Sequence, residues 1–133
     1  MTGRYLLDRN AVSAILRRHP RVCARAAAVP LSALAISSVT AGELQFGLAK
    51  RPDATALAQL VSEFLRYTEI LPWDARVART CGTVRASLES VGVTIAPLAL
   101  MIGAHALAAE ATLVSADRTF HQIDGLPVED WSL

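Results

Sequence analysis

Five short apolar runs recur along this chain, at residues 4–7, 34–37, 69–71, 112–115 and 128–131, with helical patterns between them. Strands that alternate with helices run in one direction, because each helix carries the chain back to the edge where the previous strand began. Residues 10–18 place Val12, Ile15 and Leu16 at helical spacing, and Pro20 stops that pattern. A short Ala-rich helix is expected at 21–29, ended by Pro30. Further helices are expected at about 39–50 and 54–67, the latter with Leu57, Leu60, Val61, Phe64 and Leu65 inward. Asp74 is read as the cap of a long helix to Ser90, with Val77, Cys81, Val84 and Leu88 on one stripe. An apolar helix follows from Pro97 to about residue 110, and residues 117–123 form a loop or short helix. The pattern predicts one α/β domain over residues 1–133, with a mostly parallel sheet of about five strands flanked by helices.

Length and composition fit that expectation. The chain has 133 residues, the size of one domain, and 53% of them are hydrophobic against 19% charged. The most apolar stretch, 94–109, falls short of the roughly 20 residues a membrane helix needs, and it contains Pro97 and His105. Met1-Thr2-Gly3-Arg4 lacks the apolar core and cleavage site of a secretory signal. Cys23 and Cys81 sit in helical patterns with no ligand or redox spacing, and read as buried thiols of a reducing cytoplasm. A net charge of +1 gives no global field to announce nucleic acid. Lys50 is the only lysine among the basic residues. Arginine suits bidentate phosphate contacts, although a coding bias accounts for the excess better.

Asp8 closes the first apolar run, and a carboxylate at the end of a buried strand is costly unless something uses it. Strand, acid, then helix is the layout of a site at the carboxyl edge of a parallel sheet. Asp117 follows the fourth run in the same way, though an Asx turn or helix cap before Arg118 explains it when taken alone. Glu43 lies four residues after Val39 and three before Phe46, on an apolar helix face. Thr40-Ala41-Gly42-Glu43 also fits a capping box, so capping and a site role both stay open for it. Taken together, Asp8, Glu43 and Asp117 would meet above one sheet edge.

Four segments carry a family resemblance. They are Tyr5-Leu6-Leu7-Asp8-Arg9-Asn10, then Ile36-Ser37-Ser38-Val39-Thr40-Ala41-Gly42-Glu43-Leu44, then Pro97-Leu98-Ala99-Leu100-Met101-Ile102-Gly103-Ala104-His105-Ala106, and Thr112-Leu113-Val114-Ser115-Ala116-Asp117. In this order and separation they resemble the signature blocks of PIN-domain ribonucleases, most closely the VapC toxins of bacterial toxin–antitoxin pairs. The resemblance covers essentially the whole chain, including the ending Gly125-Leu126-Pro127-Val128-Glu129-Asp130-Trp131. It implies that Asp8, Glu43 and Asp117 are catalytic and hold Mg²⁺ or Mn²⁺ for hydrolysis of RNA phosphodiesters. The family's remaining acidic ligand falls on Ala99, which supplies none, and Arg9 stands where the family has a small hydroxyl residue. The resemblance therefore implies an impaired nuclease. It further implies a homodimer and a cognate antitoxin, through which alone DNA is bound.

Other residues take supporting or structural readings. Asn10 reads as the cap of the first helix and as a residue that orients Asp8, and Ser38 as a helix cap rather than a ligand. Ser115 is placed behind the acids by the same resemblance. Arg118 is a candidate phosphate contact. His105, Trp73 and Trp131 read as packing residues, and His19 and His121 have no partner in view. Three functions follow as alternatives. One is a metal-dependent ribonuclease toxin. Another is a non-catalytic toxin subunit acting through its antitoxin and DNA. The third is a metal-dependent enzyme acting on another phosphoester.

Overall fold

The computed structural model describes residues 3–133; Met1 and Thr2, part of the segment read for a leader, lie outside the described residues. Five strands form one sheet: β1 (Tyr5–Leu7), β2 (Leu34–Ser37), β3 (Glu69–Leu71), β4 (Thr112–Val114) and β5 (Val128–Glu129). Their order is β3-β2-β1-β4-β5, and every pairing is parallel. The helices are α1 (Arg9–Leu16), α2 (Pro20–Ala27), α3 (Ser38–Ala49), α4 (Thr55–Tyr67), α5 (Ala75–Ser90) and α6 (Pro97–Ala108). Short 3-10 helices at Leu31–Ala33 and Arg118–Gln122 lead into β2 and out of β4.

The chain starts in the middle of the sheet, builds outward to β3, and crosses back to add β4 and β5. The central strands are apolar at consecutive positions because helices cover both faces. Leu6, Ala35 and Leu113, in register across β2, β1 and β4, share one core with Val84 and Leu88 of α5 and Leu100, Ile102 and Ala106 of α6. Leu7, Ile36 and Val114 point the other way, into a core with Val12, Val22, Leu44, Val61 and Trp131. Burying each of these large side chains contributes roughly 1.5–3 kcal/mol. Gly103 permits the closest approach in the first core. A Cβ there would sit 2.6 Å from Ile123 Cδ1 and 3.2 Å from the Phe120 ring.

Helix ends follow local chemistry. Three helices end in the same left-handed turn, with Arg18 (φ 61°), Gly92 (φ 75°) and Glu110 (φ 54°) just past the last turn. After α6, for example, Ala111 N–H donates to Ala106 O and Glu110 N–H to Leu107 O. A side chain in this conformation costs about 1–2 kcal/mol, and glycine's greater loss of chain entropy takes back about half of that. Glu110→Gly is therefore expected to stabilise the fold by about 0.5–1 kcal/mol. Urea denaturation checks this, and a loss of stability would show that the Glu110 side chain has another role. The same turn corrects the reading of Pro20. His19 caps the next helix, its Nδ1 accepting from Val22 N–H, and Pro20 is the first residue of α2 rather than only the end of α1.

β5 is shorter than the expected 128–131. The Asp130 carboxylate accepts from both Ser132 N–H and its hydroxyl, which turns the chain. Trp131 folds inward against Tyr5, with ring centroids 5.3 Å apart. Cys23 and Cys81 are free and only half-buried, not core thiols. Some apolar residues of the α4–β3 region stay exposed, namely Leu60, Tyr67 and Ile70. Among the described residues no helix is long and apolar enough to cross a membrane.

Candidate functional site

Parallel strands bring their carboxyl ends to one edge, and helices that follow or precede them begin or end there. Asp8 follows β1, Asp117 lies just past β4, and Glu43 sits in the second turn of the helix after β2. α6 runs back to the start of β4, so its first turn, which holds Ala99, lies at that same edge. The N-termini of α1, α3 and α6 thus gather on one side of the sheet. Their dipoles favour negative charge there.

Asp8 is the fixed point. Its N–H donates to Val114 O at 3.1 Å, which locks the end of β1 to β4. Its Oδ1 accepts from Ala11 N–H at 2.8 Å, so Asp8 itself caps α1. The residue is 8% exposed. Burial pushes its carboxyl above the ordinary range, opposed first by the Ser115 hydroxyl and then by Ala11 N–H, while the charge of Asp117 pushes it further up. Asn10 was expected to cap the helix. Its side chain is exposed and takes no part in the hydrogen bonds around Asp8, to which it offers only its backbone.

Ser115 joins the two aspartates. It is 3% exposed, its Oγ accepts from Asp117 N–H at 3.0 Å, and its hydroxyl lies beside Asp8, whose carboxyl it helps to hold down. Asp117 is exposed and caps the short 3-10 helix, with Oδ1 accepting from Thr119 N–H at 2.9 Å and Thr119 Oγ1 at 2.8 Å. Those bonds use one oxygen and leave Oδ2 for another partner. Arg118 is exposed as the next residue.

Glu43 is half-buried, and the capping-box reading fails for it. Ser37, not Thr40, caps α3, its Oγ accepting from Val39 N–H at 3.1 Å. Glu43 therefore lies too far along the helix to reach the first-turn amides. Phe46 does not share an inward face with it: Phe46 is 63% exposed, and the Lys50 ammonium stands 5.1 Å over its ring. The buried side of α3 is Thr40 and Leu44, with Glu43 on its flank. Burial pushes the Glu43 carboxyl up, the Arg9 guanidinium pulls it down, and Asp8 pushes it up again. Thr40 Oγ1 is buried one turn earlier with no hydrogen-bond partner, an atom that calls for one.

Ser38 also departs from its expected role. Its Oγ accepts from Trp73 N–H at 3.0 Å, and Trp73 Nε1 donates to Met101 O at 3.0 Å, which ties the start of α3 to α6. The pair that sequence reasoning missed is Ser37 and His105. His105 is 2% exposed, and its Nδ1 lies 2.7 Å from Ser37 Oγ. Ser37 Oγ thus accepts from Val39 N–H and shares a second hydrogen bond with the imidazole Nδ1. Burial holds the His105 pKa below its usual value, against the pull of Asp74. The adjacent serines gave a signal for a cap but not for which of them caps.

Among the described residues no three His, Cys, Asp or Glu side chains converge closely enough to hold a metal ion by themselves. The donor set is nonetheless of the right chemistry for a hard divalent cation. Mg²⁺ keeps several waters and is commonly held by one or two carboxylates. Asp8 and Asp117, joined by Ser115, supply two, and Thr40 offers an unsatisfied hydroxyl near Glu43. Ala99, in the first turn of α6, is half-buried against the apolar core and offers no oxygen.

A central parallel sheet with acids at its carboxyl edge defines the class, and the comparison with known proteins gives its family: the chain belongs to the PIN domain family, matched over residues 5–126. Within that family its relatives are VapC ribonucleases. It is 31% identical to "Ribonuclease VapC2" of Rickettsia felis, with 96% of this chain and 97% of the relative covered. It is 29% identical to the "tRNA(fMet)-specific endonuclease VapC" of Salmonella typhimurium, over 96% of this chain and 98% of that one. Among solved structures, DNA-bound VapBC of Salmonella typhimurium superposes with a TM-score of 0.88 at 29% identity, covering 96% of this chain and 98% of that chain. VapBC2 of Rickettsia felis, bound to a promoter fragment, gives 0.84 at 30% identity, covering 94% and 96%.

Proposed function

We propose that this chain is the toxin subunit of a type II toxin–antitoxin pair, a cytoplasmic Mg²⁺- or Mn²⁺-dependent endoribonuclease whose site is weakened by Ala99. The observation that carries this reading is the pair of aspartates at one sheet edge, with the buried Ser115 between them. Asp8, buried beside a second carboxylate, is costly to the fold without a cation to share it.

Asp8 and Asp117 would hold the ion, with Glu43 beside them. Bound there, the ion supplies a water of lowered pKa and offsets charge on the phosphoryl oxygens. The rest falls to the chain. α1 and Ser115 fix the orientation of Asp8. Burial raises the Glu43 carboxyl and so makes it a stronger base for a nearby water. Arg118, exposed beside Asp117, meets the RNA phosphate. The gathered helix N-termini favour that phosphate as well. Cleavage of RNA that depends on Mg²⁺ or Mn²⁺ and stops with a chelator tests the reading. A rate that ignores the chelator rejects it.

Ala99 also favours a second reading, in which the chain acts as a non-catalytic subunit. A homodimer would bind a cognate antitoxin and reach DNA only through it. The exposed Leu60, Tyr67 and Ile70 suit an amphipathic antitoxin segment, and a basic residue of its tail would meet Asp8, Glu43 and Asp117. Mixing the two proteins and measuring mass by light scattering is expected to give a tight complex containing two toxin chains. A strictly monomeric chain with no tight partner refutes this part.

A further inference from the structure

Arg9 is the first residue of α1, directly after Asp8 at the sheet edge, and it is exposed. α1 packs beside α3, whose second turn carries Glu43. The Arg9 charge reaches Glu43 and opposes the effect of its burial. Among the described residues neither side chain belongs to a direct ion pair; those pairs are Arg4 with Glu69, Arg25 with Glu129, and Arg85 with Glu89. A guanidinium stays charged at every pH at which the protein is folded. The site therefore carries a cation of its own at all times.

Resting on the reading of this edge as a divalent-metal site, we propose that Arg9 is a built-in counter-cation that competes with the metal for the Glu43 side of the site. It lowers metal affinity by charge alone, and it does so independently of the ligand missing at position 99. A fixed unit charge several ångströms from a divalent ion, in a half-exposed and salt-screened setting, changes affinity on the order of fivefold to tenfold. The site is thus weakened twice, once by a lost ligand and once by a gained charge. The two act through different groups, one a ligand and one a charge.

Mn²⁺ binding to the full chain, followed by calorimetry or by the signal of free Mn²⁺ in electron paramagnetic resonance, reads this without any assay of cleavage. Arg9→Ser is expected to tighten binding fivefold to tenfold, on the order set by charge and screening. Arg9→Gln, which keeps much of the side chain's bulk, is expected to match it, and Arg9→Lys to leave binding as weak as in the parent. The gain from Arg9→Ser shrinks in high salt. It is also expected to persist when Ala99→Asp is present. If Ala99→Asp tightens Mn²⁺ binding while Arg9→Ser and Arg9→Gln change nothing, Arg9 is not a competitor and the metal reading stands without it. If Arg9→Lys tightens binding as much as Arg9→Ser, bulk and not charge is responsible, and the proposal fails. If the double variant Arg9→Ser, Ala99→Asp binds no Mn²⁺, both the proposal and the metal reading fall.

Discussion

Ala99→Asp is expected to raise Mg²⁺- or Mn²⁺-dependent RNA cleavage by roughly two to three orders of magnitude, the scale of loss when one member of a cooperating catalytic set is removed. The fold is prepared for the change. Ala99 is the third residue of α6, and that helix begins with Pro97, has no side-chain cap, and has no acid in its first turn. A carboxylate there meets the positive end of the helix dipole, which contributes about 0.3–1 kcal/mol in its favour. Ala99 is half-buried, so the new side chain is not forced wholly into the core. Stability should change little while activity rises, and the two are measured separately by denaturation and by single-turnover cleavage. Equal cleavage by both forms, in a variant that still folds, would show that position 99 is not where the ligand is missing. In cells the same substitution is expected to turn a tolerated chain into a toxic one.

Much of this architecture was legible because it rests on patterns longer than one residue. The strand at 34–37 and the long helix capped by Asp74 were placed to the residue, since an apolar run or a stripe averages over many side chains. What the sequence did not reveal turns on single hydrogen bonds. Ser37 and Ser38 are chemically alike, and only the exact start of α3 decides which one caps it and which one holds Trp73. The same one-residue uncertainty hid the fact that Asp8, not Asn10, caps α1. It also left Glu43 open to a capping role that a helix starting at Ser38 forbids. At the site, the strand-end position of the acids was readable from the chain and the resemblance put Ser115 behind them, whereas the bond from Asp117 N–H to Ser115 Oγ was not readable. That link depends on the hand-off from β4 to a 3-10 turn, which no periodicity reports.

Asp8→Asn is expected to move stability and activity in opposite directions. Burial, its first cause, raises the folded-state pKa of Asp8 above the ordinary value of 3.8. Between that value and the raised one, the folded chain binds more protons than the unfolded chain, so stability falls as pH rises through this window. At neutral pH the ionised carboxylate is a standing cost to the fold. Asparagine removes the charge and keeps the shape. It caps a helix as well as aspartate does, and its carbonyl can still accept from Ala11 N–H. The variant should therefore unfold at higher denaturant than the parent at pH 7. The advantage should fade as pH drops through the ordinary carboxylate range, where Asp8 is neutral anyway. Placed in the Ala99→Asp background, the same change should abolish the restored cleavage, by a factor of about 10³ or more, because the oxygen proposed as the central ligand would be gone. A site that strains its own fold is a signature of function. If Asp8→Asn instead lowers stability at pH 7, the buried carboxylate is a structural asset, and its claim to be a metal ligand loses the energetic half of its support.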